Sequence, residues 1–409
     1  MKSKHSTNGT SPEAGGELSR SGQVSAILAP RFTLDGDAAL EKELATICDW
    51  VCDGLGQRLP AGKLEAVVLG GGYGRGEGGV LREKDGDRPY NDMEFYVYLR
   101  GNSHLNEFRY RAKLGALEHE VSAKAGIEVE FKLQSLKQTQ KDRVSMFSYD
   151  LAMGHRIVLG SKTLFEHCGH HRNARKIPSP ELTRLLMNRC SGLLFAKQRL
   201  EDTDFSPDDA DFVARNLAKL RLAIGDVVLG FYGQYHWSCR ERSRRLKKIR
   251  RNTCGPWLDA VRHEHQKGME FKLHPSRSTV SQKELHQDFH ALSELAGNVW
   301  LWLEELRLER KFNSFADYAL AEDNKCHQRN PLRNFLINLQ QFGVAGVLSD
   351  SRFRYPRERM LRALPVLLWE RVEAPGEPMQ LLLQEQLYIG LGKAECFIDA
   401  YECLWRRFR

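Results

Sequence analysis

The spacing of apolar residues predicts alternating helices and strands in the first 170 residues. Residues 37–58 place Leu44, Ile47 and Val51 on one face of a helix. In chain order the pattern then predicts strands at 63–71 and 92–101, a helix at 106–126 ending at Gly126, a strand at 127–133, a helix at 135–150 and a short strand at 156–161. This order indicates a small mixed β-sheet packed against helices.

From about residue 178 the strand patterns give way to helical ones. Helices are predicted at 178–200, 208–235, 284–312, 331–345, 356–372 and 377–405. The expected fold class is therefore α+β, with a small mixed sheet followed by an all-helical region. The expected division is a polar, glycine- and serine-rich tail at 1–24, a sheet domain at 25–177 and helical domain(s) at 178–409.

Composition gives limited information about the ligand and the cellular location of the protein. The 409 residues carry a formal charge of +8, which suits an anionic ligand or a nucleic acid without singling out either. No apolar run is long enough for a membrane span, and the N-terminus lacks a secretory signal. Nine scattered cysteines form no disulfide framework, so we expect reduced thiols and a cytoplasmic location.

Two carboxylates lie close together on the second predicted strand. Because alternate residues of a strand share a face, Asp92 and Glu94 point one way, and Met93 and Phe95 face the core. Neighbouring carboxylates repel each other unless a cation lies between them, and Mg²⁺ is the usual hard cation. If the next predicted strand lies beside this one, Glu128 or Glu130 on its shared face could complete a three-carboxylate site. Such a site could hold two metals for phosphoryl or nucleotidyl transfer.

A glycine-rich loop follows the first strand. Glycines expose backbone amides and permit positive φ, so the loop predicts a nest for phosphate oxygens. Arg75 could clamp a phosphate, or it could form an ion pair with Glu77 or Asp92. The predicted nucleotide-binding residues are Gly71, Gly72, Gly74, Arg75 and Gly76.

The combined segment "LGGGYGRGEGG…NDMEFYV" resembles the nucleotidyltransferase signature of the DNA polymerase beta superfamily. Gly71–Gly72 match its Gly-Gly/Ser pair, Asp92 and Glu94 its two metal ligands, and Glu130 its third carboxylate. The resemblance covers roughly residues 37–170 and includes "YDLAMGHRIVLG" near its end. It implies that the three acids are catalytic and bind Mg²⁺ or Mn²⁺. It also implies that a nucleoside triphosphate such as ATP is the substrate.

The segment departs from the family pattern in two ways. A polar insertion, "LREKDGDRPYN", separates the glycines from Asp92, and glutamate stands at the second and third ligand positions. A degenerate, non-catalytic protein that binds a nucleotide or a partner is therefore one alternative. The main hypothesis is an enzyme that transfers a nucleoside monophosphate to the hydroxyl of a small molecule or protein, with Glu130 as proton acceptor.

A third hypothesis is a nucleic-acid-modifying transferase. The run "RERSRRLKKIRR" at 240–251 has eight basic residues and could follow a phosphate backbone. We interpret it instead as a solvated basic helix anchored by Leu246 and Ile249, so nucleic acid is a partner that the sequence allows but does not favour. The cluster "EHCGHH" at 166–171 lacks a second ligand pair for zinc, and we interpret it as a polar connector.

Overall fold

The computed structural model describes residues 31–250, 254–278, 280–326, 330–348, 351–370, 378–388 and 397–408. The chain divides into two units, Met1–Arg31 and Phe32–Arg409, and the helices and strands that the structure describes lie in the second. The tail predicted at 1–24 lies outside the described residues. The predicted boundary between 177 and 178 stays a prediction.

Within the described ranges, the strands come from the first part of the second unit. They are β1 Leu64–Leu69, β2 Val80–Glu83, β3 Gly86–Pro89, β4 Met93–Leu99, β5 Val129–Gln134 and β6 Arg156–Leu159. Four of them form a sheet in the order β5-β4-β1-β6, in which β1 is antiparallel to β4 and β6 and β4 is parallel to β5. The predicted fold class, a small mixed sheet followed by a helical region, is confirmed.

Helices cover both faces of this sheet. The first part contains α1 Ala38–Arg58, α2 Gly71–Gly74, α3 Ser103–Ala125, α4 Leu136–Thr139, α5 Met146–Met153 and the 3₁₀ segments Glu166–Arg172 and Ala174–Lys176. Gly126 ends α3 with φ of 66°, as predicted. The single helix predicted at 135–150 is wrong. Ser145 and Ser148 form a capping box that starts a separate helix, α5.

Strand alternation assigns each residue of β4 to one of two cores. Met93, Phe95 and Val97 pack with α1 and α3, as the sequence predicted for the first two. Tyr96 and Tyr98 face the opposite side, together with Leu151 of α5. Glu94 therefore shares its face of the sheet with the two tyrosines.

The polar insertion forms a hairpin. Strands β2 and β3 pair from Val80–Pro89 to Glu83–Gly86. The buried Tyr73 hydroxyl ties the ends of this hairpin to the glycine loop, because it donates to the Gly79 carbonyl and accepts from the Tyr90 amide, each at 3.0 Å. The additional length between the glycines and Asp92 is thus accommodated without separating them.

The helical region follows. Its helices are α6 Ser179–Leu200, α7 Pro207–Phe231, α8 Cys239–Leu246, α9 Leu258–Leu273, α10 Gln282–Leu308, α11 Phe315–Leu320, α12 Pro331–Leu348, α13 Arg357–Trp369, α14 Pro378–Leu387 and α15 Phe397–Phe408. They share one hydrophobic core that includes the buried Trp300. The helix predicted over 377–405 ends earlier, at Leu387, because Tyr388 has φ of 56°. Among the described residues, no helix combines the length and apolar character needed to cross a membrane.

Candidate functional site

The three predicted carboxylates lie together at one edge of the sheet. Asp92 immediately precedes β4, and Glu94 of β4 pairs in register with Glu130 of the parallel strand β5. One carboxylate oxygen from each residue lies within 4.8 Å of the others. Glu128 does not belong to this group, and its backbone carbonyl accepts the amide of Met93 at 2.9 Å.

The charges of this acidic cluster act on each other. Loss of hydration, followed by the carboxylates of Glu94 and Glu130, raises the pKa of Asp92 above its ordinary value of 3.8. Lys219 of α7 opposes this shift, since its charge lowers the pKa of Asp92. Asp92 is also the most exposed of the three acids. Asp92 is therefore the member of the cluster that an incoming cation can reach most easily.

Lys132 is a residue of the site that sequence reasoning missed. Its Nζ lies 2.8 Å from Oε1 of Glu94 and 3.1 Å from Oε2 of Glu130. Burial alone would raise the pKa of Glu94, but the hydrogen bond from Lys132 reverses this shift and holds the pKa below its ordinary value. Three carboxylates with one ammonium leave two negative charges unbalanced, which matches the charge of one divalent cation.

The glycine-rich loop forms a bend at residues 70–76, between β1 and β2, and this glycine bend faces the carboxylates. The amide of Gly70 donates to the backbone carbonyl of Glu94 at 2.9 Å, and Gly71 follows with φ of 61°. A Cβ on Gly71 would lie 3.5 Å from Oε2 of Glu94, so the bare backbone lies directly beside the acid. Gly74 allows the tight return of the chain, because a Cβ there would lie 2.1 Å from the carbonyl oxygen of Leu69.

Some backbone amides of the glycine bend already donate to carbonyls within the bend. Gly74, Arg75 and Gly76 donate their amides to carbonyls within the bend, over distances of 2.9 to 3.3 Å. The amides of Gly71 and Gly72, at the start of the turn, are oriented like the first amides of any helix and have no acceptor within it. Of the five predicted nucleotide-binding residues, Gly71 and Gly72 are therefore those whose amides the bend itself does not use. Their contact with phosphate stays a prediction.

Arg75 takes neither of the ion-pair partners considered from the sequence. Its Nη1 lies 3.7 Å from Oδ2 of Asp150 in α5, and only 10% of the side chain is exposed. Its charge still reaches the acidic cluster, where it lowers the pKa of Glu94. The clamp of Arg75 on a phosphate is not tested by this geometry, which gives the residue a structural partner.

A buried polar network continues from Arg75 into the helical region. Asp150 accepts from the Tyr235 hydroxyl at 3.1 Å, and Arg242 donates to the same hydroxyl at 3.2 Å. Arg242 also pairs with Asp226, whose other oxygen lies 3.2 Å from Nε2 of His265. The network links the sheet to α7, α8 and α9 and so fixes the surroundings of the glycine bend.

Glu77 makes a second connection between the bend and the helical region. This buried carboxylate accepts from Oγ of Ser238 at 2.5 Å and from the amide of Cys239 at 2.8 Å, at the start of α8. Burial alone would raise the pKa of Glu77, but these two hydrogen bonds pull it below its ordinary value.

Replacing Glu77 by alanine is expected to lower the free energy of unfolding by about 1–3 kcal/mol, because the buried amide of Cys239 and the partly buried hydroxyl of Ser238 lose their acceptor. Urea denaturation at neutral pH measures this loss. The control is Glu83→Ala, which removes an exposed carboxylate 3.9 Å from Arg88 and should cost less than about 0.5 kcal/mol. Equal effects of the two changes would contradict this role of Glu77.

One basic side chain of the helical region acts on the acidic cluster. Lys219 of α7 lies near enough to Asp92 for each charge to shift the pKa of the other group. Burial, and then the charges of Arg189 and Arg215, lower the pKa of Lys219. Within the part of the chain that the structure describes, no carboxylate lies within 4.0 Å of the Lys219 ammonium. Lys219 thus adds a positive charge near Asp92.

The cluster at 166–171 is less exposed than a polar connector would be. It forms a 3₁₀ segment in which Cys168 and His171 are buried, and Nε2 of His171 lies 2.8 Å from the carbonyl of Thr139. Apolar contacts with the sheet explain this burial, because Cys168 packs beside Tyr98 and Phe165. Across the described ranges, the one group of acids, histidines or cysteines arranged to hold a metal ion is Asp92, Glu94 and Glu130.

Comparison with known proteins adds no relative. No protein-family model, no curated protein and no solved structure matches the chain.

Proposed function

We propose that this protein is a metal-dependent nucleotidyltransferase, which moves a nucleoside monophosphate from a nucleoside triphosphate to an acceptor hydroxyl. The observation that carries this proposal is the contact between the acidic cluster and the glycine bend. Glu94 belongs to the three-carboxylate group, and its Oε2 lies where a Cβ on Gly71 would touch it. Oxygen ligands for a hard cation and bare amides for phosphate thus share one small volume.

The residues fit Mg²⁺ or Mn²⁺ in type and in charge. Asp92, Glu94 and Glu130 would hold the ion, and Lys132 balances one of their three charges. When bound, such an ion would act as a Lewis acid and would neutralise negative charge on the transferring phosphoryl group.

The proposed positions of the two substrates follow from the order of the strands. The bend leaves β1, which neighbours β4, so the triphosphate would lie on the β1 side, over Gly71 and Gly72. Strand β5 is the edge of the four-stranded sheet, and its outer backbone is hydrogen-bonded to α3 through Arg111 and Ser122. The acceptor would therefore approach over the face that carries the acids, and Glu130, on the strand farther from β1, is the proposed base that takes the proton of the acceptor hydroxyl.

The reaction is an in-line displacement at the α-phosphorus. The hydroxyl oxygen of the acceptor forms a new bond to the α-phosphorus, the bond from that phosphorus to pyrophosphate breaks, and the hydroxyl proton passes to Glu130. Lys219, Arg189 and Arg215 would draw the negatively charged triphosphate toward the acids from the helical side.

Turnover of the four nucleoside triphosphates tests this proposal. Wild-type protein is incubated with each triphosphate, with Mg²⁺ or Mn²⁺, and with hydroxyl-bearing small molecules or the protein itself as acceptor. Release of pyrophosphate with a matching mass increase of the acceptor is expected, and chelation of the metal should abolish it. Absence of both binding and turnover for all four triphosphates would reject the proposal.

Lys219 provides a more specific prediction. Lys219→Ala is expected to raise the KM for the triphosphate about tenfold and to change kcat less, because the lost charge attracts substrate and transition state alike. Arg199→Ala is the control, since Arg199 is already paired with Asp209 at 2.8 Å. A loss confined to kcat, or an equal effect of the control, would contradict this assignment.

One observation favours a second candidate, a protein that binds a nucleotide without turning it over. The Lys132 ammonium lies between Glu94 and Glu130, where it already provides a positive charge for two of the three acids. In that case the triphosphate would bind without pyrophosphate release, and Asp92→Ala would leave its affinity unchanged.

A further inference from the structure

A second basic feature lies away from the acidic cluster, in a surface pocket of about 510 Å³. It forms where the 3₁₀ segments Glu166–Arg172 and Ala174–Lys176 meet α8. We call it the basic pocket, because its wall contains five cationic side chains: Arg172, Arg175, Arg244, Arg245 and Lys248. Glu241 is the one acid among the lining residues.

Glu241 organises two of these cations. One oxygen of its carboxylate accepts from Nε of Arg244 at 2.6 Å, and the other accepts from Nη2 of Arg244 at 2.6 Å and from Nε of Arg245 at 2.7 Å. The hydrogen bonds from Arg244 and then Arg245 lower the pKa of Glu241 to about 2, so it stays charged. Both carboxylate oxygens of Glu241 are thus used in holding the two arginines side by side.

The remaining cations have no comparable neutralisation. Arg172 donates through Nη2 to the Phe165 carbonyl at 3.4 Å. In the described part of the chain, neither Arg175 nor Lys248 lies within 4.0 Å of a carboxylate. Like charges from segments about 70 residues apart in sequence therefore meet in one concave place without enough acid to balance them. This arrangement favours the binding of an anion with several charges.

Two further features indicate a nucleic-acid strand as that anion. The positive surface continues beyond the pocket, because Lys176, Arg240 and Lys247 are exposed next to lining residues. The total exceeds what one small phosphate compound can contact. The wall also contains the exposed amide side chains of Asn173 and Gln234, which can form hydrogen bonds with the edges of unpaired bases. The pocket therefore offers hydrogen-bonding partners for bases as well as positive charges for phosphates.

We propose that the basic pocket binds a single-stranded nucleic acid, through its phosphates, independently of the acidic cluster. This binding goes beyond the proposed nucleotidyl transfer and does not require it. It also gives the 240–251 run a role other than a solvated face. Leu246 and Ile249 are buried, as that interpretation predicted, but Arg244, Arg245 and Lys248 line a pocket.

Fluorescence anisotropy with a labelled single-stranded RNA of about 12 nucleotides tests the proposal. The solution contains a chelator and no triphosphate, so the result is independent of any nucleotidyl transfer. We expect affinity to fall steeply between about 50 and 200 mM salt, with a slope of about 0.7 in log–log units for each phosphate contacted. DNA of the same sequence in a parallel titration shows whether the sugar contributes.

Exposed lysines outside the basic pocket provide matched controls. Each lining variant is paired with one of them, Arg175→Glu with Lys113→Glu on α3 and Lys248→Glu with Lys283→Glu on α10. The lining variants are expected to weaken binding about tenfold and to reduce the salt slope by about 0.7, and the controls to weaken it less than about threefold. All four positions are exposed, and circular dichroism verifies that the variants fold.

Three results would overturn the proposal. Equal losses within each pair would show diffuse attraction instead of a site. Loss of binding in Asp92→Asn would place the strand at the acidic cluster. Absence of RNA and DNA binding at low salt, with or without binding to vesicles that contain phosphatidylserine, would exclude a nucleic-acid ligand.

Discussion

Replacing Asp92 by asparagine is expected to lower kcat/KM for nucleotidyl transfer by about 10³-fold or more, the equivalent of about 4 kcal/mol. Asparagine keeps the size of the side chain but removes the charge that the cluster needs to hold a hard cation. Initial rates at saturating Mg²⁺ measure the effect. Asp85→Asn is the control, because Asp85 is exposed in the β2–β3 hairpin and paired with Arg88 at 2.7 Å.

The pH dependence of metal affinity adds a second readout for Asp92. Its pKa is raised by loss of hydration and by Glu94 and Glu130, so it becomes protonated at a higher pH than an ordinary aspartate. Affinity for Mn²⁺ should therefore decline as the pH falls through this raised pKa, and Asp92→Asn should lose that step. Activity within about tenfold of wild type in Asp92→Asn would contradict a catalytic role.

The second large effect concerns the buried ion pair between Arg242 and Asp226. Replacing Arg242 by methionine is expected to lower the free energy of unfolding by about 3–5 kcal/mol, because Asp226 would keep a buried charge with too little compensation. Burial alone would raise the pKa of Asp226, and Arg242 with His265 reverses that shift and holds it below the ordinary value. Urea denaturation at neutral pH measures the loss.

Two controls separate charge from packing in this experiment. Arg244 is on the same helix, but its side chain is 58% exposed. Arg244→Met should therefore lower the free energy of unfolding by less than about 1 kcal/mol. Adding Asp226→Leu to Arg242→Met removes the orphaned charge and should recover a large part of the stability. A single-variant loss no greater than that of Arg244→Met would show that the pair is dispensable.

The stability contributed by Asp226 also has a defined pH window. Because its pKa is lower in the folded state, this contribution is fully present above the pKa of an unfolded aspartate, about 3.9. It is lost as the pH falls further, through the folded-state pKa. The difference between wild type and Arg242→Met should therefore shrink in acid.

Strand periodicity predicted that Asp92 and Glu94 share a face, and it left Glu128 and Glu130 as alternatives for the third carboxylate. Alternation places Asp92 and Glu94 on one face, and the parallel pairing of β4 with β5 brings Glu130 into register with Glu94. The same alternation in "EVEFKL" places Lys132 on the face of Glu130, which was the available signal for this missed residue. A lysine near acids is common on a solvent-exposed strand. The ion pairs of Lys132 with Glu94 and Glu130 are therefore evident only from the distances in the structure.

Other features depend on contacts between distant segments and have no local signal. Arg75 pairs with Asp150, 75 positions later, on a helix whose start depends on the Ser145–Ser148 capping box. The basic pocket likewise needs Arg175 to approach α8, which no periodicity within either segment encodes. Local patterns describe the elements, whereas the partners of long charged side chains are decided by how the elements pack.

The central claim is that Asp92, Glu94 and Glu130 together hold a divalent cation beside the glycine bend. Anomalous diffraction from crystals grown with Mn²⁺ and a non-hydrolysable nucleoside triphosphate tests it most directly. We predict a manganese peak bonded to carboxylate oxygens of all three residues and to a phosphate oxygen, with the phosphates next to Gly71 and Gly72. A triphosphate bound elsewhere, or a cluster that binds no manganese and keeps Lys132 between Glu94 and Glu130, would contradict the claim.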